Sequence, residues 1–272
     1  MAVKARKDPR LVWLIFIILV IIPLVRPLGL PMSISDNTRT VSEAIKSVPE
    51  GGLVFLSPDF SVENRGELQP MLEVIFKHLL EQNVKIVSAG FYSMTSAIMM
   101  NEAEVTVDLE KYGKIYGEDF VNLGFLPGGE AAIAALGEDV HALAKIDYYN
   151  TPISEIPLMD LFKTAKDVDL VICISAGNEF TEKWMRQWQV KYDTKITGGS
   201  VSMVYPTLLG YIASGQLSGY LDSSRGAAEY ELLTNKPGGA ILTMDAQSIG
   251  HIFLIVIIII GNMSDRLFRR SN

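Results

Sequence analysis

Cysteine and histidine are nearly missing from this chain. Cys173 stands alone, and His78, His141 and His251 are the only histidines among 272 residues. A single thiol excludes an internal disulfide and any multi-cysteine zinc or iron–sulfur centre. The three histidines have neither H-x-H nor H-x-x-x-H spacing, so no metal site is assigned. The acidic stretch at residues 108–119 (DLEKYGKIYGED) lacks the alternation of a calcium loop and reads as solvated surface. Nucleotide signatures are also lacking. No G-x-G-x-x-G follows a strand, no G-x-x-x-x-G-K-[ST] occurs, and PGGE at 127–130 has neither the lysine nor the spacing. No cofactor is expected.

Positive charge is scarce in the middle of the chain. Residues 31–248 hold 16 Lys and Arg against 29 Asp and Glu, a net charge of −13. Such a domain repels phosphate backbones, which argues against a nucleic-acid partner.

What the chain does have is apolar sequence at both ends. The first run, residues 11–30, begins LVWLIFIILVIIPLV and continues past Arg26. Its first fifteen residues fall short of the roughly 20 needed for a span, but a snorkelling Arg26 extends it. A secretory signal peptide is the alternative, since KARKDPR supplies a basic leader. No small-x-small cleavage site follows, and Pro27, Leu28, Leu30 and Pro31 occupy its place. An uncleaved anchor is the preferred reading. The second run covers 246–263. Lys4, Arg6, Lys7 and Arg10 precede the first run, and Arg266, Arg269 and Arg270 follow the second. The positive-inside rule then places residues 1–10 and 264–272 in the cytoplasm and residues 31–245 outside the cell membrane. The lipid bilayer is thus the expected partner, with a homo-oligomer or other membrane proteins beside it. The uncharged stretch 196–221 raises a third span. Thr207, Ser214, Gln216 and Ser218 make it too polar, and we read it as a buried or membrane-apposed helix.

Between the ends, apolar runs alternate with helical periodicity. Strands are predicted at 51–57, 83–90, 118–125, 167–177 and 194–199. Helices are predicted at 67–82, 93–104, 128–137, 157–167 and 179–190, with a helical turn or two at 41–48. Residues 144–156 are a hairpin or an irregular connection. Strands that read as continuous apolar runs, alternating with helices, belong to a largely parallel sheet with helices on both faces. The fold class is α/β, a three-layer arrangement of the Rossmann/flavodoxin-like kind flanked by two transmembrane helices.

In such a sheet ligands bind outside the carboxyl ends of the strands. Those ends supply Asp59, Gly90, Gly128, Gly129, Ser175 and Asn178 as candidate ligand-binding residues. Tight turns need glycine and serine as well, so each residue also has a plain structural role. Ser175, after the strongest strand, is placed like the nucleophile of an elbow, although Cys173 replaces the first glycine of G-x-S-x-G. No histidine or lysine has a spacing that marks it as the base. Phe180, Trp184 and Trp188 form one helical row, read as facing the core rather than as an aromatic anchor. Gly215, Gly219 and Gly226, with Ser223, repeat at spacings of four or three and make a small-residue helix face for close packing on the sheet or on a second copy. Asp245, Gln247, Ser248 and His251 form a polar cluster at the outer end of the second run, positioned to bond the first helix or the domain. The function expected is a membrane-tethered, non-catalytic binding or assembly subunit, the alternative being a membrane-anchored hydrolase that uses Ser175.

Overall fold

A computed structural model describes the backbone of residues 9–270 and the side chains of 10–177 and 181–263. The chain divides into two compact units: a terminal unit of Met1–Met32 with Ile241–Asn272, and a domain, Ser33–Ala240.

In chain order the elements are α1 (Pro9–Val25), α2 (Asp36–Lys46), β1 (Leu53–Asp59), α3 (Arg65–Glu81), β2 (Lys85–Gly90), α4 (Met94–Val107), β3 (Phe120–Phe125), α5 (Glu130–Glu138), α6 (Val140–Leu143), β4 (Leu170–Ser175), α7 (Asn178–Trp184), α8 (Val190–Tyr192), β5 (Lys195–Ser200), α9 (Tyr205–Ala213), β6 (Leu221–Asp222), α10 (Ser223–Leu233) and α11 (Gly239–Arg270). A π-turn at Met185–Gln189 joins α7 to α8.

The six strands form one sheet in the order β3-β2-β1-β4-β5-β6, with every pairing parallel. The chain builds outward from β1 through β2 to β3, then returns to β4 on the other side of β1. β1 and β4 are buried along their whole length, which is why residues 53–56 and 170–174 read as apolar runs. Successive side chains on a strand point to opposite faces. Phe120, in register through Ile86 with Val54, takes Phe76 of α3 at a ring separation of 4.9 Å. Phe55, one residue on, takes Trp184 of α7 at 5.1 Å, and Trp188 at 5.9 Å. Helices therefore cover both faces. Trp184 and Trp188 are fully buried, as the core reading requires; the Phe180 side chain lies outside the described residues.

Three sequence expectations are corrected. The helix predicted at 157–167 is two short 3-10 turns, Pro157–Asp160 and Ala165–Asp167. Pro157 opens the first, and the Thr164–Asp167 capping box starts a new turn where a helix would have to continue. Its apolar residues Leu158, Met159 and Phe162 still point inward, so burial was legible where geometry was not. The uncharged stretch is not one helix: it is shared among β5, α9 and β6, and its only helix has nine residues, too short to cross a bilayer. Gly215 and Gly219 lie off any helix, with φ of +76° and +75°, so no small-residue helix face links them to Gly226 on α10. Close packing is real at Gly219 in another form. A Cβ there would stand 2.7 Å from Asn37 O and 2.8 Å from Val41 N, so this turn lies directly on α2. At Gly226 the close neighbour is Leu221 of β6, and around Gly215 there is open space.

The terminal unit pairs α1 with α11. Phe16 and Phe253 stack at 5.5 Å, and a Cβ on Gly250 would lie 3.7 Å from the Phe16 ring. The backbone N–H groups of Leu28, Gly29 and Leu30 all donate to the Asp245 carboxylate, at 2.7, 2.9 and 3.2 Å. Among the described residues one helical segment, Gly239–Met263, is long and apolar enough to cross a membrane; α1, at 17 residues, is shorter than that.

Candidate functional site at the strand switch point

Strand order reverses between β1 and β4, the place where an open α/β sheet leaves a crevice beyond its carboxyl ends. Asp59 and Ser175, the last residues of the two strands, are paired in register there. Gly90 ends the neighbouring β2. A Cβ on it would stand 2.3 Å from Ser96 Cβ and 3.3 Å from Pro58 O, so only glycine lets α4 start this close. The structure thus gathers Asp59, Gly90 and Ser175 around β1. Gly128 and Gly129 turn the chain beyond β3, two strands away, with φ of +119° and +55°. Asn178 opens α7, and its side chain lies outside the described residues.

Asp59 is fully buried, on the sheet face that α7 covers. Its Oδ1 accepts from Phe91 N at 2.7 Å, and its Oδ2 from Ser57 Oγ at 2.7 Å and Trp184 Nε1 at 3.5 Å. Cys173 Sγ lies 3.8 Å from Oδ2. Thr181 of α7 continues the polar row, 3.9 Å from Cys173 Sγ and bonded to Tyr220 OH at 2.7 Å. The hydrogen bonds to Asp59 favour its charged form, but removal from water outweighs them and pushes its pKa up to about 6. Burial, with Asp59 beside it, holds the Cys173 thiol far above its ordinary value. That thiol is protonated and without access to solvent, so it acts as core.

The expected crevice is closed. Ser57, Asp59, Ser175, Phe60 and Trp184 have no solvent exposure, and Phe91 packs on Trp184 at 5.5 Å to cover the carboxyl group. Ser175 Oγ donates to Gly177 O at 2.6 Å and accepts from Gly177 N at 3.1 Å, the bonds of a turn. The histidines are engaged elsewhere: His78 with Tyr230 OH at 2.6 Å and His141 with Met159 O at 3.0 Å, while His251 belongs to the terminal unit. A groove of about 230 Å³ does exist in the domain, but at the opposite, amino end of the strands, lined by Ser47, Lys166, Asp169, Asp193 and Lys195 among others.

One cluster escaped the sequence reading. In the irregular segment after α6, Asp147 accepts from Tyr116 OH at 2.8 Å, Tyr149 N at 2.9 Å and Thr151 N at 2.7 Å. Glu104 of α4 lies nearby; burial, and then the charge of Asp147, push its pKa up to about 7 against a hydrogen bond from Tyr149. The only sequence signal was the pair Tyr148-Tyr149 after an aspartate, which names no partner across 30 residues or more. Among the described residues no group of three or more potential metal ligands forms. The chain matches no protein-family model, and neither a curated protein nor a solved structure is significantly similar to it, so its reading rests on the geometry of this sheet edge.

Proposed function

We propose that this protein is a membrane-anchored, non-catalytic binding or assembly subunit. In this reading α1 and α11 both cross the bilayer, the two termini are cytoplasmic, and the α/β domain lies on the extracytoplasmic side. Support for the anchor comes from the apolar length of Gly239–Met263, the basic residues outside both apolar runs, and the pairing of α1 with α11 through Phe16, Phe253 and Gly250. The observation that carries the non-catalytic reading is the packed switch point: the Asp59 carboxyl group is sealed under Trp184, and the Ser175 hydroxyl is spent on Gly177. A domain of this kind acts through its surface.

The test uses the full-length protein in lipid nanodiscs and a fluorophosphonate probe. The expected result is no labelling and identical behaviour of wild type and Ser175→Ala. Labelling that Ser175→Ala abolishes overturns the reading in favour of a serine hydrolase.

A further inference from the structure

The surface least like the rest of this acidic domain is α9. From Ile196 to Leu221 no residue carries a charge, and of the nine residues of α9 only Leu208 is buried. Met203 is 83 % exposed and Leu209 47 %, with Tyr205, Tyr211 and Ile212 partly open beside them. An uncharged, apolar, exposed helix needs a cover, and its place in the domain indicates which.

Both ends of the domain lead to the start of α9. Asn37 donates to Tyr205 OH, and Asn37 is only five residues beyond Met32, where the terminal unit ends. Five residues reach at most about 18 Å even when fully extended. On the other side, Glu67 of α3 accepts from Ser202 N at 3.0 Å, in the turn that leads into α9. Three residues along α3, Pro70 lies 3.4 Å from where a Cβ on Gly239 would stand, and Gly239 is two residues before the terminal unit resumes at Ile241. The domain's two exits and its neutral helix therefore share one edge.

We propose that α9 rests on the bilayer that receives α11, with Met203, Leu209 and Ile212 at the boundary between headgroups and acyl chains and Tyr205 and Tyr211 at headgroup level. This inference rests on the anchored reading above. Apolar side chains on one short helix gain little alone, but a tether that holds them within reach removes most of the entropy of finding the surface. Lack of charge matters equally, because the remainder of the domain is acidic and repelled by anionic headgroups. Tyrosine is enriched at such interfaces for the same amphipathic reason.

The sole cysteine is buried, which makes single introduced cysteines specific labelling points. Leu209→Cys and Met203→Cys, labelled with an environment-sensitive fluorophore, are placed in vesicles of phosphatidylcholine that carry a brominated lipid quencher. Val105→Cys serves as the control, 72 % exposed on α4, which packs against the opposite edge strand β3. The expected result is quenching several-fold stronger at 209 and 203 than at 105. Protein that floats with the vesicles but shows equal quenching at all three positions overturns this inference and leaves the anchor standing. Protein that does not float overturns the anchored reading and this inference together. Labels at 209 that are shielded from water, unaffected by brominated lipid, and transfer energy between copies assign the face to a second copy, which also overturns it.

Discussion

The switch point and the contact between α2 and α10 each bury a carboxyl group, Asp59 in the first and Glu229 in the second. Burial raises the pKa of both. At Glu229 the rise is more than offset: Ser35 N donates at 2.9 Å, Thr38 Oγ1 at 2.8 Å and Arg225 Nε at 3.0 Å, and the net shift is downward. Asp59 has only neutral donors and no cation, and its net shift is upward. Glu229 is therefore a structural anion that fixes α2 at the entry of the domain. Asp59 is a carboxyl that gains a proton at mildly acidic pH inside a closed sheet edge. Burial is the largest single influence at both; the Ser35 and Thr38 donors, with Arg225 adding least, together outweigh it at Glu229, and the donors at Asp59 do not.

The comparison breaks most visibly at Trp184. Trp184→Ala removes the cover of Asp59 and leaves a large cavity, a loss expected at about 3–5 kcal/mol in urea unfolding. In whatever fraction stays folded, the pKa of Asp59 should return toward its ordinary value near 3.8, because burial is the main cause of its rise. A stable variant with an unchanged Asp59 titration would contradict this packing. Asp59 itself comes next. Its folded pKa lies above the unfolded one, so its effect is absent below pH 3.8 and destabilises as pH rises to about 6. The span corresponds to about 3 kcal/mol. Asp59→Asn should remove that slope, seen as urea midpoints against pH that diverge from wild type between pH 4 and 6. Glu229→Gln has the opposite sign. It should lower stability by about 1–2 kcal/mol at pH 7. The loss should shrink as pH falls below the ordinary glutamate value of 4.5, where the wild-type carboxylate also takes up its proton. The smallest effect is that of Ser57→Ala, which deletes one donor to Asp59 and should lift its pKa by up to about one unit, read by carboxyl carbon NMR.

Much of this fold was legible because buried parallel strands leave a blunt signal. The runs at residues 53–56 of β1 and 170–174 of β4 are apolar for the reason that both faces are covered, and helical periodicity located α3, α4 and α5. Two misreadings have physical causes. Gly215 and Gly219 repeat at the spacing of a helix face, yet both take φ values that favour glycine and end turns instead. The α2 helix is longer than its apolar residues suggested, because Ser35 caps it through Thr38 N and Glu229, nearly 200 residues away, completes the cap. Of the candidate site, Asp59, Gly90 and Ser175 were readable from strand ends alone. What closes the site was not: Trp184 comes from a helix 125 residues on, and no local pattern in either segment specifies that they meet.

The Asp245 clamp has a consequence for the order of assembly. Its carboxylate joins segments separated by 217 residues, and closing so long a loop in an unstructured chain costs about 5 kcal/mol in entropy. Folding of the intervening domain removes most of that cost in advance. Until Asp245 is in place, the amide groups of Leu28, Gly29 and Leu30 lack the partner they have in the finished protein. Sheet first, buckle last: closure of the Asp245 clamp then follows the folding of the residues between the segments it joins.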